Sequence, residues 1–319
     1  MKTIGILTSG GDAPGMNAAI RSIVRTCIYN GIRVMGIRFG YDGLIHGNIY
    51  EMNVSSVADI IQRGGTILGT ARSDEFMTDR GKQKAVGILE DFGIDGIIVL
   101  GGDGSFRGAE ALAELGVNTM GIPCTIDNDM GYTDYTIGFF TAVETVSSAI
   151  SKLRDTSSSH GRANIIEVMG RECGDIALYS GVSSGAESIL VPEVPFRIED
   201  VTNKIESGRK RGKLHHLIVL AEGVGRAHEM QGQIEKITGV ETKVTVLGHV
   251  QRGGHPSSYD RLLGTEMGSK AVELLIQGKT SMALATRNNQ IEIIPIKEAV
   301  SIKNTFNQSL YRIAQEVSI

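Results

Sequence analysis

Two short stretches of the chain hold the residue types that phosphoryl transfer needs. Gly101-Gly102-Asp103-Gly104-Ser105 is a glycine run around one carboxylate, and Pro123-Cys124-Thr125-Ile126-Asp127-Asn128-Asp129 sets two carboxylates at i and i+2. Glycines let backbone N–H groups approach a phosphate, a carboxylate can anchor a cation, and a second carboxylate can take the proton of an attacking hydroxyl. Such a transfer proceeds by positioning and electrostatic stabilisation. A third glycine run, from Ser9 to Asn17 (SGGDAPGMN), lacks the Gly-Lys-Ser/Thr of a Walker A loop. Each stretch has a plainer alternative: a βα turn with Asn17 as N-cap, an Asp-Gly turn, and an Asx-turn cluster.

Arginines recur in a common setting. Arg72 ends Gly64-Gly65-Thr66-Ile67-Leu68-Gly69-Thr70-Ala71, and Met169-Gly170-Arg171 and His249-Val250-Gln251-Arg252-Gly253-Gly254 repeat the order strand end, glycine, Arg. A guanidinium suits bidentate phosphate contacts. Glu222-Gly223 closes an apolar run, and Glu222 could bind sugar hydroxyls. Asp127 and Asp129 would raise each other's pKa if both are partly buried, leaving one to act as base. Arg21, Arg25, Arg154, Arg211 and Lys213 read, by themselves, as solvated helix faces.

These residues fall between short apolar runs that alternate with amphipathic segments. Strands are expected at 3–8, 33–38, 96–100 and 119–122, with helices at 17–29, 81–92 and 109–115. This βαβα order predicts a parallel sheet covered on both faces. The pattern restarts after a break near Gly138, with helices at 141–153, 198–208, 231–238, 258–277 and 304–317 and strands at 163–169, 188–191 and 216–221.

The 319 residues are 41% hydrophobic and 21% charged with a net charge of −4, which predicts about two domains and excludes disorder and non-specific nucleic-acid binding. Cys27, Cys124 and Cys173 are isolated, so neither a disulfide framework nor a zinc site is expected. The apolar runs are too short to span a bilayer and no signal peptide is visible, so a cytoplasmic, membrane-free protein is expected.

Taken in order, LTSGGDAPGMNAAIR, RGGTILGTAR, GGDGS, TIDND, IEVMGR, AEGVG and LGHVQRGG resemble the bacterial ATP-dependent 6-phosphofructokinases over essentially the whole chain. The resemblance implies two Rossmann-like, three-layer α/β domains with mostly parallel sheets and an active site in the cleft between them. It implies an ATP domain of residues 1–138 and 251–303, and a fructose 6-phosphate domain of 139–250 and 304–319. The reaction implied is transfer of the ATP γ-phosphoryl to the 1-hydroxyl of fructose 6-phosphate, with Mg²⁺. By this resemblance Asp127 is the base, supported by Asp129, and Asp103 anchors the metal. Gly11, Arg72, Ser73, Gly102, Asp103, Gly104 and Ser105 hold ATP, with Arg72 and Arg171 offsetting charge on the transferring group. Gly11 and Thr125 also belong to the catalytic set.

The sugar phosphate is assigned to Thr125, Ile126, Asp127, Met169, Gly170, Arg171, Glu222, His249, Val250, Gln251 and Arg252, with Arg162 and Lys243 from a neighbouring subunit of a homotetramer. An inter-subunit effector site for ADP and phosphoenolpyruvate is assigned to Arg21, Ser22, Ile23, Val24, Arg25, Arg154, Gly185, Ala186, Glu187, Arg211, Lys213, Leu214 and His215. Three positions depart from the family: Lys243 replaces Arg, Cys124 replaces Gly, and Phe140 replaces Asp. Two rivals share the fold, a pyrophosphate-dependent enzyme and a weakly active regulatory homologue. Gly104, where pyrophosphate users carry Asp, favours ATP; Asp103, Asp127, Asp129, Arg72 and Arg171 favour an active enzyme.

Overall fold

The computed structural model describes residues 1–318; Ile319, the last residue of the second predicted domain, lies outside the described residues. The chain forms two compact units. The first comprises Met1–Ile126, Met130–Phe140 and Arg252–Asn304, and the second comprises Asp127–Asp129, Thr141–Gln251 and the stretch from Thr305 onward.

The first unit runs β1 (Thr3–Thr8), α1 (Met16–Tyr29), β2 (Arg33–Ile37), α2 (Gly40–Ile45), β3 (Ile49–Met52), α3 (Asp79–Asp91), β4 (Gly96–Gly101), α4 (Asp103–Glu114), β5 (Asn118–Thr125) and β6 (Ile137–Gly138). α5 (Phe139–His160) leads into β7 (Ala163–Val168), α6 (Asp175–Ser183), β8 (Ser188–Leu190), α7 (Ile198–Lys210), β9 (His216–Ala221), α8 (Ala227–Thr238) and β10 (Thr242–Val246). α9 (Ser258–Ile276), β11 (Met282–Arg287), β12 (Gln290–Pro295) and α10 (Ile296–Ala299) return to the first unit, and α11 (Gln308–Val317) belongs to the second.

The first sheet has strand order β12-β11-β5-β4-β1-β2-β3, with β6 beside β5. Its interior pairs are parallel and its edge pairs, β2–β3 and β11–β12, antiparallel. β1 and β4 are buried along their whole length, as strands covered on both faces must be. Alternate residues Leu7, Met35, Ile37, Ile97 and Val99 pack into one apolar cluster with Leu44, Leu89, Phe106 and Leu112, the period of two expected of a pleated sheet. The second sheet, β10-β7-β9-β8, is parallel throughout.

Several elements differ from the sequence expectation. The helix expected at 109–115 begins at Asp103, so Asp103, Gly104 and Ser105 are its first turn, not a loop. Glycine is a poor helix former, which hides this turn from propensity; burial of Ser105, Phe106, Ala109 and Leu112 overrides it. β5 continues past Ile122 to Thr125, and α5 extends from Phe139 to His160. α8 starts four residues earlier than the expected 231, at Ala227. α11 starts at Gln308, where the Asn307 side chain accepts from Leu310 N at 3.0 Å. Asn17 does not cap α1; the N-cap is Gly15. The short or exposed elements α2, β3, α6, β10 and the β11–β12 hairpin carry patterns too brief to read.

α1 and α9 cross closely because α9 presents Gly264 and Gly268 to α1. A Cβ on Gly268 would sit 2.7 Å from the Ala19 carbonyl oxygen and 2.9 Å from Ser22 Cβ. Ser22 Oγ donates to the Thr265 carbonyl at 2.6 Å across the same contact. Gly268→Val should therefore push the helices apart and lower stability by about 1–3 kcal/mol, the usual cost of overpacking; a urea-denaturation midpoint equal to the parent's would contradict this packing.

Candidate active site

In the first unit the turns after β1 and β4 meet. Their strands are neighbours in parallel register, Thr8 opposite Leu100, and Ser9 N donates to the Leu100 carbonyl at 2.9 Å. β1 lies between β2 and β4, where the strand order reverses, the position at which open α/β sheets bind ligands. Close backbone approach explains the glycines: a Cβ on Gly101 would lie 2.5 Å from the Ser9 carbonyl oxygen. α4 starts here with Gly102 as N-cap and no side-chain cap bond, so its first N–H groups point at the turn. A Cβ on Gly104 would meet nothing within 4 Å, whereas one on Gly11 would lie 3.3 Å from the Arg252 guanidinium. The family resemblance assigns Gly11 and Arg252 to different ligands; within this unit they lie side by side.

Asp103 ion-pairs with Arg107 one turn along α4, Nε to Oδ2 at 2.9 Å, with both side chains at least half exposed. The segment carrying Arg72 is pinned from beneath. Asn17 Nδ2 donates to the Arg63 and Gly64 carbonyls at 3.0 and 3.1 Å, and its Oδ1 accepts from Ile67 N at 2.9 Å. Thr8 Oγ1 donates to the Gly69 carbonyl at 2.9 Å. Asn17 is thus a loop staple, a role that strand and helix patterns cannot reveal. Arg72 itself is exposed, and Ser73 Oγ accepts from Phe76 N at 3.3 Å.

The second unit holds the two carboxylates. Asp127 is buried, and Arg171 Nε reaches its Oδ2 at 3.3 Å while the rest of the Arg171 side chain is 66% exposed. Asn128 and Arg171 both adopt left-handed backbone, φ 54° and 53°. For Arg this conformation is costly and needs external support. Glu222 supplies it: its Oε1 accepts from Gly170 N at 3.2 Å and Arg171 N at 2.8 Å, with Gly170 at φ 134°. Gln251 Oε1 accepts from Met169 N at 3.2 Å and its Nε2 donates to the Gly248 carbonyl at 3.0 Å. Glu222 and Gln251 thus brace the 169–171 turn. Thr125 is half-buried at the end of β5, while Ile126 is buried and offers no exposed side chain.

On the neighbouring strand pair, Arg162 and Lys243 converge on Glu241. Arg162 Nε bonds Glu241 Oε2, and Lys243 Nζ bonds Oε1 at 2.8 Å. The Lys243 and Arg162 bonds hold the Glu241 carboxyl below its usual range. Glu241 was not among the expected site residues; its place between two cations at i−79 and i+2 exists only in the paired strands. His249 and Val250 are exposed.

Residues 3–275 match the phosphofructokinase family model. The chain belongs to the phosphofructokinase family. A curated relative from Finegoldia magna, named ATP-dependent 6-phosphofructokinase, is 73% identical over the full length of both chains. One of the same name from Alkaliphilus metalliredigens is 60% identical, again over all of both. Among solved structures, phosphofructokinase from Saccharomyces cerevisiae superposes with TM-score 0.91 at 34% identity, covering 98% of this chain and 50% of that one, so the chain spans half the length of the yeast match. Pyrophosphate-dependent phosphofructokinase from Marinobacter aquaeolei superposes at TM-score 0.88 with 20% identity, over 100% of this chain and 92% of that one, a likeness of fold alone.

Two departures from the family pattern have structural accounts. Cys124 is buried in β5, and burial pushes its thiol well above the usual range, so it packs inside the first unit. Phe140 joins an aromatic cluster, its ring centroid 4.7 Å from Tyr259 and 4.8 Å from Tyr135.

The residues expected at the effector site separate by unit. On α1, Arg21 and Arg25 face outward, but Ser22, Ile23 and Val24 are buried in the α1–α9 side of the core. The side chains of those three are therefore engaged in packing, which leaves only their backbone to meet an effector. In the second unit, Arg154 donates to the Ser184 and Gly185 carbonyls and Lys213 pairs with Glu187. Burial alone would raise Glu187; the Lys213 ammonium and the Leu217 N–H outweigh it and hold the carboxyl below its usual range. Ala186 is buried, and Arg211 and Leu214 are exposed. Beside them His216 is buried against Ser188 Oγ at 3.0 Å, and burial pushes its imidazole down from 6.5 to about 4. A depressed basic group stabilises the fold fully above its unfolded pKa and loses that contribution as pH falls toward its folded value. His216 should therefore make stability fall by roughly 3 kcal/mol between pH 6.5 and 4. His216→Asn should flatten that limb in urea titrations across the same window; an unchanged slope would show that His216 does not titrate there.

Proposed function

We propose that the protein transfers the γ-phosphoryl group of ATP to the 1-hydroxyl of fructose 6-phosphate, giving fructose 1,6-bisphosphate and ADP. Asp127 carries the proposal: a buried carboxylate on a fixed turn, paired with an exposed guanidinium that can leave it. Arg171 is largely exposed, so its guanidinium can turn to a phosphoryl oxygen; the buried Asp127 carboxylate left without its cation is costly as an anion, which favours its taking up the hydroxyl proton. Asp129, half-buried two residues on, supports the turn's negative charge. The expected domain of residues 1–138 and 251–303 takes ATP and that of 139–250 and 304–319 takes the sugar phosphate; the compact units differ from these bounds chiefly in giving Asp127–Asp129 to the second.

ATP is held by the turns after β1 and β4, the N–H groups opening α4, and Arg72. Gly104 leaves room that the Asp of a pyrophosphate user would fill. Mg²⁺ fits the donor set in one mode. Among the described residues no cluster of three or more His, Cys, Asp or Glu could hold an ion, so Asp103 would bind it together with the nucleotide's own phosphates. Bound there, the ion would neutralise charge on the β- and γ-phosphates. Arg107, which pairs with Asp103, must give way.

Arg162 and Lys243 bind the 6-phosphate of a substrate on a neighbouring subunit of a homotetramer, and Arg21, Arg25, Arg154, Arg211 and Lys213 serve an effector site for phosphorylated ligands such as ADP and phosphoenolpyruvate. The enzyme works in the cytoplasm.

Asp127→Ser should lower kcat by roughly 10²–10⁴-fold with fructose 6-phosphate saturation little changed, the range for a positioned base. The coupled assay should run with ATP and not with pyrophosphate as donor; turnover with pyrophosphate alone would overturn the donor assignment, and full kcat in Asp127→Ser would overturn the base.

The Glu241 pair adds a second expectation. Glu241 competes with a phosphate for Arg162 and Lys243, and exposed pairs of this kind carry about 0.2–1 kcal/mol each. Glu241→Gln should lower the half-saturating fructose 6-phosphate concentration by about 2–10-fold at low salt, and Lys243→Arg should lower it several-fold by presenting a planar fork. Saturation curves of both variants superimposed on the parent's would remove Arg162 and Lys243 from the substrate site.

A further inference from the structure

We propose that Asp175, through Asn128, is a positioning residue that fixes the orientation of the Asp127 carboxylate; this rests on the reading of Asp127 as the base. Asn128 is 5% exposed, lies between the two carboxylates, and holds left-handed backbone at φ 54°. Asn tolerates that conformation better than most residues, but a single such residue stays put only when its surroundings over-determine it. The support comes from 47 residues away in sequence. Asn128 Nδ2 donates to Asp175 Oδ2 at 2.9 Å, and Asp175 is itself 7% exposed. The Cys173 thiol approaches the Asn128 carbonyl at 4.0 Å from the same turn.

Asp175 is in turn held in place. It opens α6, and the residue before it, Gly174, donates its N–H to Glu193 Oε1 at 2.8 Å. A Cβ on Gly174 would lie 2.5 Å from Val191 Cβ, so the turn is pressed directly against the segment after β8. A chain of fixed groups therefore runs from Glu193 through Gly174 and Asp175 to Asn128 and the peptide that carries Asp127. Arg171 supports the same carboxylate from the other side, on a turn that Glu222 braces.

Packing alone does not account for an acid at position 175. Burial, with Glu193 adding to it and the Asn128 bond opposing it, pushes its carboxyl up to about 6. A buried carboxylate is a net cost that a neutral residue would avoid, and α6 makes no side-chain cap bond at its N-cap for it to supplement. What Asp175 does provide is a charge-assisted acceptor aimed at one amide. A displacement of about 1 Å in a reacting group can cost ~10²-fold in rate, so a tether on the base's turn has a large effect on kcat and a small one on binding.

The test uses the full-length enzyme and four variants: Asp175→Ala, Asp175→Asn, Asn128→Gly, and the double variant Asp175→Ala/Asn128→Gly. Glycine keeps the left-handed backbone and deletes only the amide. Asp175→Ala and Asn128→Gly should each lower kcat by roughly 10–100-fold, with half-saturating fructose 6-phosphate within about 3-fold of the parent. The double variant should be no slower than the slower single, since both remove one bond. Asp175→Asn, whose side-chain oxygen still accepts from Asn128, should keep kcat within about 5-fold. Parent-like kcat in Asn128→Gly, or losses that multiply in the double variant, would overturn the tether. Should Asp175→Ala fail to fold, Asn128→Gly and Asp175→Asn decide by the same criteria. Asp127→Ser assayed alongside separates the two readings: full kcat there removes the base, whereas an inactive Asp127→Ser with a fully active Asn128→Gly removes only the tether.

Discussion

Thr8 of β1 lies opposite Leu100 of β4, and that single register decides what the first unit can offer an anion. Parallel neighbours end on the same edge of a sheet, so the turns that follow them must share space. Only residues without side chains fit where Gly101 passes the Ser9 carbonyl. The same crowding bares the N–H groups at the start of α4, because Gly102 caps the helix without a side chain of its own. Donors that would be a liability in a buried turn become available to a phosphate. Asn17 and Thr8 then tie the 63–69 segment to this edge, so Arg72 hangs from a fixed base.

The second unit meets a different requirement. The proposed base, Asp127, has to be held still, and the means available is backbone strain matched by hydrogen bonds. Asn128 and Arg171 each sit in a region that most residues avoid at a cost of order 1–3 kcal/mol. Each is met by a carboxylate from a distant element, Asp175 for one and Glu222 for the other. Asp175 bonds the residue after Asp127, and Glu222 bonds the turn that carries its arginine partner.

Charge balance is local in this protein, whose net charge is only −4. Cations assigned to phosphate ligands already have partners within the chain: Lys213 has Glu187, Arg162 and Lys243 have Glu241, and Arg171 has Asp127. Such pairs keep the basic side chains ordered and, under the proposed function, would set a threshold for an incoming dianion. The threshold is small where the pair is exposed, as at Glu241, and larger at Glu187, which is nearly buried. On that reading, Lys for Arg at 243 would act on a competition with Glu241, not on a bare contact.

The order of motifs along the chain was enough to establish the family and the mostly parallel α/β architecture and to nominate polar site residues, because glycine turns, apolar strands and strand-end arginines are each local patterns. Patterns of that kind could also place β1, β4, β7 and β9 to within a residue or two. Tertiary structure alone decided which local reading won where two were possible. Asp103 to Ser105 became helix because Phe106 and Leu112 needed burial, and Asn17 became a staple because the 63–67 backbone passes beside it. Ser22, Ile23 and Val24 turned out buried, with Ser22 bonded to α9. Glu241, Asp175 and the bracing roles of Glu222 and Gln251 left no local signal, since each depends on a partner tens of residues away that only strand pairing and turn packing bring within hydrogen-bond range.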